Sequence, residues 1–297
     1  MTEAKLVPKP LQVGRLLVDF GKRPYIMGVL NVTPDSFSDG GRFLQPQDAL
    51  EQARRLIAEG ADILDVGGES SRPGSDPVTV EEELRRVLPV VEKLANESPV
   101  PISIDTTKAE VARRALQAGA AMINDISALR FDPRLAEVVA EANVPLCLMH
   151  MRGEPKTMQQ GPIVYRDLLR EIGAFLQDAM ERAQAAGIDR DKIILDPGIG
   201  FGKAPEHNLT IIRRLDYFQR LGRPLLVGVS RKSFIGQILN LPPQERLFGT
   251  AAAVAAAVLA GAHILRVHDV AAMRQVALVA HAIRNEGLPA EEQQHGH

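Results

Sequence analysis

The chain has 297 residues but no tryptophan, three tyrosines and one cysteine, and aromatic residues make up only 4% of it. So few aromatics offer no surface for stacking the bases of single-stranded nucleic acid. The single thiol, Cys147, excludes an intrachain disulfide and a multi-thiolate metal site, which fits a reducing compartment. Its setting in Val144–Met149 marks it as a buried apolar filler rather than a nucleophile. An excess of charge of either sign is also missing. A net charge of -2 and a pI near 6.4 give no general electrostatic hold on nucleic acid or on an anionic membrane. Long apolar runs are absent too. The first twenty residues lack the core and cleavage site of a signal peptide. The most apolar stretch, 250–262, is Ala-rich and shorter than the ~20 residues that span a bilayer. The expectation is a cytoplasmic protein with small-molecule partners, bound to neither nucleic acid nor membrane.

What the chain does have is a repeated alternation. Eight short runs rich in β-branched or apolar residues, at 25–30, 62–66, 101–104, 122–126, 144–149, 192–195, 224–229 and 263–267, read as strands. Helical spacing fills the intervals, predicting helices at 46–59, 80–95, 109–118, 133–142, 163–186, 208–221, 243–260 and 270–285. Thr79 with Glu82 has the spacing of a capping box, and Gly60, Gly119, Gly187, Gly222, Gly261 and Gly287 stand where left-handed C-caps are expected. Nearly continuous apolar strands alternating with helices imply parallel pairing with both faces covered. Eight such units without a linker favour one (β/α)8 barrel over residues 1–290, followed by a disordered tail at 291–297; a doubly wound open sheet is the alternative. Residues 11–20 read as a small hairpin closing the bottom of the barrel.

A parallel barrel builds its site at the C-terminal ends of its strands. Those ends offer Asn31, Asp65 with Glu69, Asp105, Asn124 with Asp125, Met149 with His150, Asp196, Ser230-Arg231-Lys232, and Arg266 with His268. Taken singly, each has a structural explanation: Asp125 and Asp269 as helix caps, Asp65 as support, His150 as a hydrogen-bonded core residue, Arg231 as an ion-pair partner. Together they read as a site. Arg266 and His268, two apart and so on one face, form a candidate anion cradle with nearby loop amides. Asp105, Asn124 and Asp196 suit a flat heterocycle with paired N–H donors, which a carboxylate can accept in parallel. Lys232 is a donor to such a ring's carbonyl or, alternatively, a Schiff-base lysine.

The glycine-rich stretch Asp196-Pro-Gly-Ile-Gly-Phe-Gly-Lys203 fits neither a phosphate-loop nor a dinucleotide spacing. Its glycines suggest backbone passing close to a planar ligand. No dedicated metal cage is visible, so a divalent ion would arrive with a phosphate.

Seven collinear motifs then carry a resemblance: NVTPDSFSDGG at 31–41, GGESSRPG at 67–74, IDTTK at 104–108, NDI at 124–126, DPGIGFGK at 196–203, SRK at 230–232 and RVHD at 266–269. In this order they resemble the dihydropteroate synthase family, pterin-binding TIM barrels. Only Ser71, where relatives often have Thr, differs, and conservatively. The resemblance implies a transferase of folate biosynthesis that joins 4-aminobenzoate to 6-hydroxymethyl-7,8-dihydropterin diphosphate, releasing pyrophosphate by an SN1-like course. It implies that Asp105, Asn124, Met149, Asp196 and Lys232 hold the pterin. Asn31, Arg72, Arg266 and His268 would hold the diphosphate, with Asn31 on its Mg2+. Phe37, Ser71, Arg72, Pro73, Phe201, Lys232 and Ser233 would shape the aminobenzoate pocket. Asp105, Lys232, Arg266 and His268 are the implied catalytic set. A homodimer and a sulfonamide target are implied as well, with the Ala-rich 250–262 stretch as the dimer's contact helix.

Other readings share part of this pattern. A pterin-barrel methyltetrahydrofolate methyltransferase needs neither the Arg266/His268 pair nor the 31–41 loop. A pterin-binding protein without catalysis would not require Asn31, Arg72, Lys232 and His268 together. A Schiff-base aldolase would use Lys232. Residues 34–41 read as a lid that closes over both substrates, with Phe37 as its apolar face above the arylamine. Phe37→Gly is therefore expected to raise the KM for 4-aminobenzoate while leaving pterin diphosphate binding nearly unchanged; equal weakening of both, measured by steady-state kinetics, would remove Phe37 from that pocket.

Overall fold

The computed structural model describes residues 7–33 and 46–288. Phe37 and the expected tail at 291–297 lie outside the described residues. Two short strands, β1 (Leu11–Val13) and β2 (Leu16–Val18), pair antiparallel across a two-residue turn in which Gly14 takes a φ of 54°. A positive φ at that place is what a tight hairpin turn demands. Eight strands follow: β3 (Tyr25–Asn31), β4 (Ile63–Gly67), β5 (Ile102–Asp105), β6 (Met122–Asp125), β7 (Leu146–Met149), β8 (Ile193–Asp196), β9 (Leu226–Val227) and β10 (Ile264–Val267). They lie parallel in the order β8-β7-β6-β5-β4-β3-β10-β9. The two edges meet, because Leu195 N donates to Pro224 O at 2.9 Å and Leu195 bridges Leu225 in parallel. The sheet is therefore a closed barrel, and the doubly wound alternative is excluded.

The helices are α1 (Pro46–Ala58), α2 (Val80–Glu97), α3 (Ala109–Gln117), α4 (Arg134–Ala142), α5 (Leu168–Ala185), α6 (Pro205–Arg213), α7 (Asp216–Gln219), α8 (Ser233–Leu239), α9 (Leu247–Leu259) and α10 (Val270–Asn285). Their apolar faces and the outward residues of the strands, among them Leu64, Val66, Ile104, Ile123, Leu148 and Leu265, form one continuous core. Among the described residues no helix is long and apolar enough to cross a membrane.

A second core fills the barrel itself. Tyr25, Met27, Ile63, Met122, Cys147, Ile194, Leu226 and Ile264 point inward and pack with Leu11, Val13, Val18 and Phe20. The hairpin is thus the floor of the barrel, as its sequence suggests. Phe20 meets Tyr25 and His263 edge-on, with ring centroids 6.3 and 5.4 Å away.

The departures from the sequence reading have local causes. The seventh barrel strand, expected over 224–229, is regular only at Leu226–Val227. It lies at the barrel seam, where Leu225 N is taken by the His263 ring (3.0 Å) instead of by a neighbouring strand. The helix expected from 163 begins at Leu168, capped by Asp167, whose carboxylate accepts from Arg170 N (3.1 Å). Residues 243–245 form a separate 3-10 turn, and the 208–221 helix divides into α6 and α7. Helix α8 has no counterpart in the sequence reading; seven residues with a glycine in the middle are too short for the period to show. Of the six glycine caps, Gly287 does not hold, because Glu286 takes the left-handed conformation (φ 53°), as Asn143 and Asn240 do elsewhere.

Removing the Phe20 ring leaves a void against the apolar floor. Phe20→Ala is expected to cost about 3–5 kcal/mol of unfolding free energy. Denaturant titration measures this, and a loss near zero would mean that the hairpin does not seal the barrel.

Candidate active site

Side chains alternate along a strand, so the residue two beyond an inward apolar one also points into the barrel. On strand after strand that next residue is polar: Ile63 gives way to Asp65, Met122 to Asn124, Ile194 to Asp196 and Ile264 to Arg266, while on β5 the small buried Ser103 precedes Asp105. A charged layer thus stands directly on an apolar one.

Arg266 organises this layer. Its Nε donates to Asp65 Oδ2 at 2.6 Å and its Nη2 to Asp105 Oδ2 at 2.7 Å. Asp65, wholly buried, also accepts from Asn124 Nδ2 at 3.0 Å. One guanidinium therefore serves two carboxylates. Burial pushes the Asp105 carboxyl up to about 7; Arg266 opposes the shift, and the charges of Asp65, Glu83 and Asp125 add to it. Burial likewise raises Asp196 to about 6 against the Gly198 N–H bond (2.6 Å) and the nearby cations Lys232, Lys203 and Arg266. Burial and the charge of Arg266 lower Lys232 to about 8, with Asp196 and Asp105 acting the other way. Its Nζ lies 4.2 Å from the centroid of the Phe201 ring. Phe201 in turn belongs to an apolar cluster with Met149, Ile126, Met151 and Met158.

Arg266 and His268, expected side by side in one anion cradle, have different partners here. The two share a face but sit at different depths, about 6–7 Å apart along the strand. Arg266 is at the level of the carboxylates and turns to them. His268 is one layer higher and lines a cleft of about 510 Å3 with Val29, Asn31, Gln52, Arg55, Glu59, Arg231 and Asp269. Its Nδ1 is 3.0 Å from Ser230 Oγ, and its backbone N donates to the same oxygen at 3.3 Å. Burial, then the charges of Arg266 and Arg231, lower the His268 pKa to about 3, so the ring is neutral at pH 7. Ser71 lines a small cavity with Asp105, whereas Arg72, Pro73 and Ser233 are exposed on the rim.

Several expectations need revision. Asp125 does not cap the helix that follows it. Its carboxylate accepts from Ser127 N (2.7 Å) and Leu129 N (2.5 Å), holding a turn in which Ala128 and Leu129 have φ of 52° and 65°. Asp269 stands at the start of α10 but makes no side-chain cap; it pairs with Arg231 (2.5 and 3.0 Å). The Glu82 carboxylate turns to Arg85 and Arg86, while Thr79 Oγ1 does accept from Glu82 N (3.2 Å). Two of the glycines of 196–203 are required by the protein itself. A Cβ on Gly198 would stand 1.9 Å from His150 O, and one on Gly202 would stand 2.7 Å from Arg152 Cβ, both at positive φ. His150 is structural: it contacts Lys203 Nζ (2.9 Å), packs on Phe175, and is held neutral by burial.

Sequence reasoning missed the supports of the Ser230–Lys232 turn. Arg246 Nη1 donates to Arg231 O (3.0 Å) and Lys232 O (3.3 Å), and Thr250 Oγ1 accepts from Arg231 N (3.0 Å). Nothing local marks these residues, which lie 14 to 19 positions downstream. It also gave no role to Lys108, which bonds to Glu69 and Glu83. Among the described residues no group of three or more His, Cys, Asp or Glu side chains is placed to hold a metal ion.

The buried carboxylates tax the fold. The Asp196 pKa rises from an unfolded value of about 3.9 to about 6, so its ionisation destabilises the native state as pH climbs through that window and fully so above it. Asp196→Asn keeps the oxygen facing Gly198 N and cannot ionise. The variant is expected to be more stable than the parent above pH 6 and equal to it near pH 4. Denaturant midpoints against pH check this, and a gap independent of pH would contradict it.

Residues 27–268 match the family model described as "Pterin binding enzyme". Over 277 residues the chain is 52% identical to a dihydropteroate synthase of Synechocystis sp., spanning 93% of this chain and 96% of that protein. Among solved structures it is similar to the Yersinia pestis dihydropteroate synthase in complex with a sulfonamide drug, at 46% identity and a TM-score of 0.88, covering 93% of this chain and 100% of the other. It is also similar to Xanthomonas albilineans dihydropteroate synthase with 4-aminobenzoic acid, at 45% identity and a TM-score of 0.86, covering 93% and 98%. With a closed barrel, a charged mouth and this identity over nearly the whole length, the chain belongs to the pterin-binding enzymes and, among them, to the dihydropteroate synthases.

Proposed function

We propose that the barrel mouth condenses 6-hydroxymethyl-7,8-dihydropterin diphosphate with 4-aminobenzoate, giving 7,8-dihydropteroate and pyrophosphate. The observation that carries this reading is the adjacency of two unlike sites. A buried layer with Asp105, Asn124 and Asp196 suits the edge of a flat heterocycle. Beside it lies a polar cleft lined by Asn31, Arg231 and His268, which suits a diphosphate. Met149 and Phe201 give the ring an apolar surface, and Lys232 is its cationic donor. Ser71, Arg72, Pro73 and Ser233, with Phe37 from outside the described residues, form the aminobenzoate end. That a Xanthomonas albilineans relative is solved with 4-aminobenzoic acid supports this molecule as the second substrate.

The reaction follows from charge. The C–O bond to the diphosphate breaks with its electron pair leaving on oxygen, and a cation remains on the pterin methylene. Asp105 in its ionised form stabilises that cation electrostatically; Arg266 holds Asp105 in place and opposes the rise that burial gives its pKa, and the developing positive charge draws it further to the carboxylate. The arylamine lone pair then forms the C–N bond, and its proton leaves afterwards, so no strong base is required. His268 acts as a neutral donor. With the Ser230 hydroxyl donating to Nδ1, Nε2–H faces the anion, and the arriving negative charge favours protonation of the ring. For Mg2+, Asn31 offers one neutral oxygen where a hard cation takes about six. The fit is to an ion whose other ligands come from diphosphate and water, supplying charge neutralisation to the leaving group.

We further read the protein as a cytoplasmic homodimer. Val279 and Ile283, one turn apart on α10, are 60% and 64% exposed, and Phe248 on the adjoining α9 is 84% exposed, large apolar side chains that a second copy would cover.

Incubation with pterin diphosphate, Mg2+ and 4-aminobenzoate is expected to yield dihydropteroate and pyrophosphate in equal amounts. Failure at every Mg2+ concentration would overturn the reading. His268→Ala is expected to lower kcat/KM for the diphosphate substrate by about 10- to 100-fold, the worth of one donor on a charged group, while binding of a pterin without diphosphate is unaffected. Equal losses would remove His268 from the leaving-group site.

A further inference from the structure

The segment 68–78, between β4 and α2, carries Ser71, Arg72 and Pro73 and is fastened at its root by a partly buried cluster of charges anchored on the buried Glu83. Lys108 Nζ, from the residue that precedes α3, donates to Glu69 Oε2 and to Glu83 Oε2. The Glu69 carboxylate also accepts from Val78 N at 3.3 Å, so both ends of the segment meet at one side chain. Glu83 projects from α2 with its side chain 1% exposed. Arg86, one turn along the same helix, donates to Gly68 O at 2.8 Å. Burial alone would lower the Lys108 pKa, but the charge of Glu83 and the hydrogen bonds to both carboxylates outweigh it and raise it.

The tip is held differently. Gly74 N donates to Pro155 O at 3.1 Å, and Lys156 pairs with Asp76 at 2.6 Å, with both side chains more than half exposed. An exposed pair of this kind fixes little, whereas a buried one fixes geometry strongly because separating its members strands a charge. The position of the segment is therefore decided at its root. That root is continuous with the reacting end of β5: Lys108 follows Asp105 by three residues. Glu69, Ser71, Glu83, Thr106 and Lys108 line, together with Asp105, a cavity of about 20 Å3.

We propose that Lys108, bridging Glu69 and Glu83, is a positioning residue. It sets where Ser71, Arg72 and Pro73 stand relative to Asp105, and so governs presentation of the arylamine to the reacting carbon without touching either substrate. This rests on reading 71–73 as the wall of the aminobenzoate site.

Steady-state kinetics of the full chain, varying each substrate at saturation of the other, test it with Lys108→Met, Lys108→Arg, Glu69→Gln and Arg72→Ala. Lys108→Met and Glu69→Gln are expected to raise the KM for 4-aminobenzoate about tenfold, the loss of one charge-assisted bond. In both, kcat and the KM for pterin diphosphate should stay within about twofold. Lys108→Arg, which keeps the charge, should restore most of the aminobenzoate KM. Glu69→Gln leaves the buried Lys108–Glu83 pair intact, so it reports even if Lys108→Met fails to fold. Equal losses for both substrates, or an unchanged aminobenzoate KM in Glu69→Gln, would overturn the proposal. If Arg72→Ala raises that KM while the clamp variants do not, the wall stands and the clamp falls. If Arg72→Ala leaves it unchanged, the wall assignment itself fails.

Discussion

The guanidinium of Arg266, held between Asp65 and Asp105, is the contact on which the mouth of this barrel depends. Three carboxylates and an arginine project into a space whose floor is apolar and whose walls are packed strands. Separating any one partner would leave a buried charge without compensation, a loss of several kcal/mol. The arrangement is nevertheless incomplete: one cation faces two acids, and Asp65 Oδ1 has no hydrogen-bond partner among the described residues. Burial consequently raises Asp105 and Asp196 and lowers Lys232 towards neutrality. On the proposed reading, a ligand that brings N–H donors and a positive reacting centre would supply the partners that these carboxylates lack. The strain of the site and its use are the same physical fact.

Two scales of support keep that layer in register. Near the carboxylates, short bonds fix single atoms: Asn124 to Asp65, Gly198 N to Asp196, Ser230 to His268. Further out, residues remote in sequence fix whole turns. Arg246 and Thr250 close the turn that presents Lys232, and Asp125 holds the turn after β6. Gly198 and Gly202 belong with these supports. Their missing side chains let one loop lie against the backbone of the next, which removes slack from the segment that carries Phe201.

Much of this was legible in the sequence because it repeats. The eightfold alternation gave the barrel, and polar residues at strand ends gave Asn31, Asp65, Asp105, Asn124, Asp196, Arg266 and His268. The period of two told that Arg266 and His268 share a face. It said nothing of depth, and depth decided that one meets carboxylates and the other a cleft. Helix α8 is too short for its period to show, and the shortened β9 escaped because it is set by a tertiary contact, the His263 ring capping Leu225 N. The glycines of 196–203 were seen, but what they approach is a matter of which loops adjoin.

The hairpin under the barrel acts beyond its packing. By placing Leu11, Val13, Val18 and Phe20 beneath the inward apolar ring, it backs the charged layer with a material that scarcely polarises. Field lines from Asp105, Asp196 and Arg266 have little to terminate on below, so they emerge through the one wetted face. The fold thereby behaves as a directional electrostatic lens: charge planted near its middle is felt at its opening, and an approaching ion meets the potential before it meets any side chain.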